Sequence, residues 1–175
     1  LGDLPNDLAD FTGDYESQSY WAHFEIREGQ LAGELSGQPF KLQRTAALKF
    51  TLDSRIDDGA KVAFARGESG AVTGFSLGIQ QFARAPKKPA PLPEEWKKVL
   101  GTYGPDFIPI VISTRHGHLY AMTENMVDYR LTPINRRVCA LPPGMYADEE
   151  VVFLSDADGG IRAIDFANMV LPVRP

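Results

Sequence analysis

Histidines are the residues of this sequence whose type and spacing point most directly to chemistry. His116 and His118 are separated by one glycine, so both rings could lie on one side of a strand and bind a metal ion. A zinc site needs a third protein ligand, which the spacing does not supply, and a solvated hairpin turn explains the pair more simply. We therefore predict no metal site and no cofactor.

Nucleophiles and paired carboxylates are equally unsupported by the pattern. Cys139 is the single cysteine, and nothing in its spacing to histidine or aspartate favours a nucleophile over a small buried apolar residue. The acidic pairs Asp57–Asp58 and Glu149–Glu150 stand beside turns, where solvated side chains are expected. No Gly-x-Ser-x-Gly elbow occurs. We predict no catalytic residue.

The elements that would have to position these side chains are short strands. Gly and Pro number 16 and 13, which indicates many turns, and apolar residues alternate with polar ones between them. One example is the run Val151 to Leu154, followed by the turn Asp156–Gly160 and a return from Ile161 to Phe166. Only Pro5–Phe11 and Pro93–Leu100 favour short helices. The fold class predicted is all-β, as antiparallel barrels or sandwiches.

The two halves of the chain resemble each other at a nearly constant offset. Gly13 and Tyr15 recur 88 residues later as Gly101 and Tyr103, and the run 62–64 recurs 89 residues later as 151–153. We interpret this as two tandem barrels of about eight strands each, in residues 1–85 and 92–175, joined by a Pro/Lys linker at 86–91. In the first copy we interpret the strand that begins near Val72 as extending through Ile79. Gly78–Phe82 is then interpreted as the end of this last strand.

Net charge and hydropathy argue against two interactions, one with nucleic acid and one across a membrane. The formal net charge is −5, which disfavours nucleic acid, and no stretch approaches the roughly 18 consecutive apolar residues of a membrane span. We predict neither interaction. The acidic excess lies mainly in the first copy, which holds 12 acidic and 8 basic residues.

The order of helix, Gly-x-Tyr, strand, Gly-x-Leu hairpin and late Gly-x-Ile/Val hairpin resembles a known family. It is similar to the lipocalin-like β-barrel domains at the C-terminus of serine β-lactamase-related hydrolases, including D-aminopeptidases and esterases. The resemblance covers nearly the whole chain twice. The residues that carry it are Leu8, Gly13, Tyr15, Leu31, Phe64, Gly70 and Val72, and then Leu100, Gly101, Tyr103, Leu119, Phe153, Asp158, Gly159 and Ile161.

This resemblance implies a non-catalytic module whose partner is a hydrolase domain, in the same polypeptide or a separate chain. The family's catalytic Ser-x-x-Lys is absent, since the residue three places after Ser36, Ser54 or Ser113 is not a lysine. In the D-aminopeptidases a loop of the second barrel reaches the active site. By that likeness the loop here lies between Ile134 and Asp148. The candidate residues of this loop are Arg136, Arg137, Pro142, Pro143 and Tyr146. A plain Pro-rich surface loop stays an equal alternative.

A second hypothesis is an independent lipocalin-like protein that binds a small molecule. Tyr20, Trp21 and His23, near Tyr15 and Phe24, could then line a barrel mouth. A barrel of about 85 residues is more often filled by its own side chains. A hydrolase in its own right is the third and weakest hypothesis. We favour a bacterial periplasmic or extracellular location, and a cytoplasmic location stays open. Assembly into a homo-oligomer stays open as well.

Overall fold

The computed structural model of the protein describes residues 6–55 and 57–175, and its fold is all-β. The chain divides into two compact units, the first ending at Pro86 and the second beginning at Lys87. Each unit is an eight-stranded antiparallel sheet that curls into a barrel, closed in the first unit and nearly closed in the second. The predicted fold class of two tandem antiparallel barrels is therefore confirmed. This division falls within the predicted linker 86–91.

The first barrel follows a short 3-10 helix at Leu8–Phe11, and Pro5 of the predicted helix Pro5–Phe11 lies outside the described residues. Its strands are β1 Gly13–Glu16, β2 Trp21–Arg27, β3 Gln30–Leu35, β4 Gln38–Ala46, β5 Lys49–Ser54, β6 Lys61–Arg66, β7 Val72–Leu77 and β8 Gln80–Arg84. Every strand pairs with its sequence neighbours, and β8 pairs with β1 through Tyr15 and Arg84 to close the barrel.

The second barrel follows helix α1, Glu94–Lys97, which is shorter than the predicted Pro93–Leu100. Its strands are β9 Gly101–Tyr103, β10 Ile110–Arg115, β11 His118–Met122, β12 Asp128–Asn135, β13 Val138–Ala140, β14 Glu150–Ser155, β15 Ile161–Phe166 and β16 Met169–Pro172. The edges β9 and β16 meet through a single bridge between Tyr103 and Val173, flanked by two backbone hydrogen bonds of 2.9 Å.

Alternating side chains fill each barrel. In β4, Phe40 and Leu42 are buried while Lys41 and Gln43 are exposed, as period-2 patterning requires. The hairpin turns suit the right-handed twist of the strands. Glu28 and Gly29 have φ of 52° and 77°, positive values of the kind that tight two-residue hairpin turns require, and glycine adopts its value without steric cost. His116 and Gly117 repeat this turn in the second barrel, with φ of 52° and 79°.

Equivalent positions of the two barrels play the same structural roles. The buried Tyr15 hydroxyl donates to the carbonyl of Phe11 at 2.9 Å, and the Tyr103 hydroxyl donates to that of Val99 at 2.8 Å. A strand irregularity brings Arg66 opposite Val72 and, 89 residues on, Ser155 opposite Ile161. The Phe64 and Phe153 N–H groups donate to Leu48 and Arg137 respectively, each at 2.8 Å. The offsets seen in the sequence therefore correspond to equivalent contacts within each barrel.

Two expectations about strands are wrong. Ile79 does not extend the seventh strand but lies in a turn and is 94% exposed, since Leu77 ends β7. The segment Gly78–Phe82 does not end the last strand either. Gln80 begins an eighth strand, whose Phe82 is buried in the core of its own barrel. Periodicity misplaces the strand end because the two-residue turn Gly78–Ile79 carries an apolar residue, whereas turns usually carry polar ones.

Candidate functional site

The predicted loop between Ile134 and Asp148 is not one loop. Val138–Ala140 forms strand β13, which pairs with β12 on one side and β14 on the other. The side chain of Cys139 in this strand is fully buried and packs into the core of the second barrel. The candidate residues therefore divide between two connections, a tight turn with the two arginines and a longer loop with the prolines and the tyrosine.

The tight turn, Arg136–Arg137, joins β12 to β13. The side-chain oxygen of Asn135 accepts the Arg137 N–H at 2.9 Å and the Val138 N–H at 3.1 Å, which fixes the turn from within. Both arginines are exposed, and both line one cavity of about 370 Å3 at an end of the second barrel. We call this cavity the basic cleft; Lys98, just after helix α1, also lines it.

The longer connection, Leu141–Glu149, joins β13 to β14, and we call it the β13–β14 loop. Its base is closed by a hydrogen bond of 3.3 Å from the Leu141 N–H to the Glu149 carbonyl. Asp148 accepts the Gly144 N–H at 2.9 Å across the loop. Pro143 is exposed, whereas Pro142 is buried. These bonds give the loop a defined shape.

Tyr146 lies at the far side of this loop in a left-handed conformation, with φ of 46°, and Ala147 and Asp148 continue it at 54° and 61°. Such conformations cost non-glycine residues of order 1 kcal/mol each and recur where function selects them. The Tyr146 ring is 5.6 Å from the Phe166 ring at 80°, and partial burial raises the pKa of its hydroxyl. The side chain remains 37% exposed, so the ring is both anchored and accessible.

The aromatic residues predicted at a barrel mouth divide between the core and the outer face of the first barrel. Tyr15 and Phe24 belong to the buried core of the first barrel, and Tyr20 packs against that core. Trp21 alternates with the inward-facing Ala22, is only 5% exposed, and exchanges hydrogen bonds with Ser36. His23, also on the outer face, meets Asp14 with an Nδ1–Oδ1 distance of 2.8 Å.

The interior of the first barrel is filled. Seven apolar side chains surround a residual cavity of about 10 Å3, which is smaller than any organic ligand. The lining residues are Phe24, Leu35, Phe40, Leu52, Val62, Phe75 and Leu77. Barrels of this size use their own side chains as core, which explains why Tyr15 and Phe24 point inward rather than toward a ligand.

The remaining chemical candidates are dispersed. His116 lies in the β10–β11 turn, while both ring nitrogens of His118 are within 3.2 Å of the Arg130 guanidinium. Among residues 6–55 and 57–175, no group of three or more His, Cys, Asp or Glu could hold a metal ion. Burial raises the pKa of the Cys139 thiol to about 12, so it is protonated at neutral pH. Across the same described ranges, no helix has the length and apolar character needed to cross a membrane.

Comparison of the chain with protein-family models and with curated proteins found no match. The function proposed below is therefore argued from the sequence, the fold and the geometry of the site. The sequence pointed to Arg136, Arg137 and Tyr146, but it gave no reason to join Lys98 to the arginines. The signal was nonetheless present in the repeat, because Lys98 stands 88 residues after Asp10 and reverses its charge.

Proposed function

We propose that this chain is a non-catalytic accessory module of a serine β-lactamase-like hydrolase, packing on the catalytic domain and shaping substrate access. The resemblance carried by Gly13, Tyr15, Gly101 and Tyr103 supports this, and those residues occupy matching positions in the two barrels. The Ser-x-x-Lys nucleophile of such hydrolases is missing from the sequence, which is consistent with a partner that supplies the chemistry.

The observation that carries the proposal is the shape of the β13–β14 loop. It presents Pro143 and Tyr146 on a backbone whose conformation is already set by hydrogen bonds within the loop. A preformed loop loses little conformational freedom on docking, so more of its contact energy remains available for binding. An exposed tyrosine with an anchored ring is also a residue type common at interaction hot spots. These features favour the second barrel as the partner-facing one.

The experiment is a comparison of loop variants in the hydrolase that contains or binds this chain. Tyr146→Ala is expected to raise KM by about tenfold, the loss typical of one aromatic hot spot, while leaving the fold of the barrel unchanged. The matched control is Asp58→Ala, an exposed residue in the β5–β6 connection of the first barrel, 88 residues earlier. The control should change KM by less than about twofold.

Equal kinetics for Tyr146→Ala and the unmodified protein would contradict the proposed role of the loop. Circular dichroism of both variants separates this from a folding defect. The alternative, a carrier with its ligand inside the barrel, is less well supported, because the cavity among the core side chains Phe24, Phe40 and Phe75 measures about 10 Å3.

A further inference from the structure

The two barrels treat the same end of the fold in opposite ways. In the first barrel, Arg66 follows the core residue Phe64 by two positions and lies over the Phe11 ring, 5.5 Å from its centroid. Its guanidinium pairs with Asp7 at 2.7 Å and with Asp10 at 2.9 Å. Arg44 approaches the same ring at 5.4 Å and pairs with Asp7 at 2.7 Å. Two arginines at this end are thus held by two carboxylates of the chain itself.

The second barrel lacks most of this network, although Asp7 has an acidic counterpart in Glu95, 88 positions on. The residue equivalent to Arg66 is Ser155, and the one equivalent to Arg44 is Pro133, 89 positions on in both cases. Asp10 is replaced by Lys98, 88 positions on. Where the long side chain of Arg66 lies in the first barrel, the short side chain of Ser155 lines the basic cleft of about 370 Å3 in the second.

New cations line this cleft. Arg136 and Arg137 come from the β12–β13 turn, where the first barrel has Ala47 and Leu48. Together with Lys98 they place three positive charges around the cavity. Among the residues that the structure describes, none of the three forms an ion pair, although the Lys98 ammonium lies 3.5 Å from the Gly159 carbonyl.

One carboxylate also lines the cleft, and it is engaged elsewhere. An oxygen of Asp156 accepts the Asp158 N–H at 3.1 Å and the Gly160 N–H at 2.9 Å, as part of the β14–β15 turn. The lining therefore carries an excess of two positive charges. Its floor is apolar, because Val99 and Phe153 are buried core residues and Ile161 packs against the same core.

From this contrast we propose that the basic cleft binds a small organic carboxylate with a short apolar body. The ligand's carboxylate pairs with the arginines of the cleft as Asp10 pairs with Arg66 in the first barrel, and its apolar part covers Phe153 and Ile161. Arginine forks match carboxylates in a bidentate geometry, and a cavity of this volume is within the usual range for small-molecule sites. Because a cavity of about 150 Å3 holds benzene, an aromatic ring with a carboxylate fits. This site requires no hydrolase partner, so a test of ligand binding is independent of a test of the proposed function.

The test is a titration of the isotope-labelled chain followed by two-dimensional NMR. The probes are phenylacetate, its neutral analogue phenylacetamide, and N-acetylphenylalanine, whose carboxylate mimics a peptide C-terminus. Phenylacetate should give saturable shifts confined to signals of residues 98–99, 136–137 and 153–161, and phenylacetamide should bind at least about tenfold more weakly. Tighter binding of N-acetylphenylalanine than of phenylacetate would identify a peptide terminus as the source of the carboxylate. Tighter binding of phenylacetate would identify a free small molecule as the source.

Matched charge variants locate the site. Lys98→Asp restores the acidic residue of the first barrel beside the arginines, so it should weaken phenylacetate binding by about tenfold or more. Lys97→Asp, the adjacent exposed lysine outside the cleft, makes the same change in net charge and should alter binding by less than about twofold. The pair Arg136→Ser and Arg137→Ser should abolish saturation, whereas Arg162→Ser on β15 should not.

Absence of saturable shifts at 20 mM phenylacetate (roughly the weakest affinity useful for a site) would overturn the proposal. Equal binding of phenylacetamide would also overturn it, as would equal weakening by the two lysine variants. Unchanged spectra outside the cleft show that each variant remains folded, so a negative result cannot be attributed to unfolding.

Discussion

Phe64 is the residue whose replacement should most damage the first barrel. It is 4% exposed, and its ring centroid lies 4.8 to 6.0 Å from those of five other aromatic residues. These neighbours are Phe11, Tyr15, Phe24, Phe50 and Phe75. The equivalent Phe153 packs on Trp96 at 5.8 Å within a core that is otherwise mainly aliphatic. The two positions thus share burial and backbone geometry and differ in how many rings surround them.

The expected free-energy losses follow from this difference. Truncation of a buried Phe to Ala costs about 3–5 kcal/mol. Each aromatic pair adds roughly 0.5–1.5 kcal/mol beyond area burial, although the pairs are not additive. Phe64→Ala should therefore cost about 5 kcal/mol, enough to unfold a small barrel of ordinary stability. Phe64→Leu retains much of the volume but loses the ring contacts, so we expect a measurable loss of about 2 kcal/mol. Phe153→Leu should cost about 1 kcal/mol.

The chain offers an assay for each barrel, because its two tryptophans are divided between them. The indole N–H signals of Trp21 and Trp96 can be followed separately in NMR spectra across a urea titration. Phe64→Leu should lower the midpoint reported by Trp21 more than Phe153→Leu lowers the midpoint reported by Trp96. An equal or reversed order would refute the argument that ring contacts, rather than burial alone, stabilise the first barrel.

Three further predictions concern single side chains. Tyr103→Phe removes the buried hydrogen bond to the Val99 carbonyl and should cost about 1–2 kcal/mol in urea unfolding of the second barrel; an unchanged midpoint would contradict this. A hydrogen bond from Arg44 holds the pKa of Asp7 below its usual value, so this carboxylate stabilises the fold above its unfolded-state pKa, and that contribution is lost as pH falls through the lower folded-state pKa. Asp7→Asn should accordingly flatten the acid limb of a stability-against-pH profile, and an unchanged limb would contradict the assignment. Cys139, fully buried with its pKa raised to about 12, should resist a thiol reagent at pH 8 until urea unfolds the second barrel; stoichiometric labelling of the folded chain would count against that burial.

Much of the fold could be predicted from the sequence because strand patterning is local. Phe40 and Leu42 alternate with polar residues, and Glu28–Gly29 and His116–Gly117 mark hairpins. The elements that the sequence does not predict are those whose local pattern is weak or opposite to the observed structure. Strand β13 has only three residues between Arg137 and the Pro142–Pro143 pair, so composition alone favoured a loop. Ile79 is an apolar residue in an exposed turn.

The candidate site was harder to predict, since its parts are distant in sequence. Arg136 and Arg137 were recognisable as exposed cations, but Lys98 joins them only through the curvature of the barrel. The two barrels differ at Arg66 and Arg44, whose counterparts are Ser155, which lines the basic cleft, and Pro133. Such a difference becomes informative only when the contacts of those arginines with Asp7 and Asp10 are known.

The central claim, a module that serves a hydrolase, is tested most directly by the polypeptide that the surrounding gene encodes. We predict that this gene or its neighbour encodes a Ser-x-x-Lys domain. Removal of residues 1–175 from that protein, or omission of the separate chain, should change its KM, its substrate preference or its thermal stability. A gene context without such a domain would contradict the account. Identical activity, substrate range and melting temperature with and without these residues would contradict it as well.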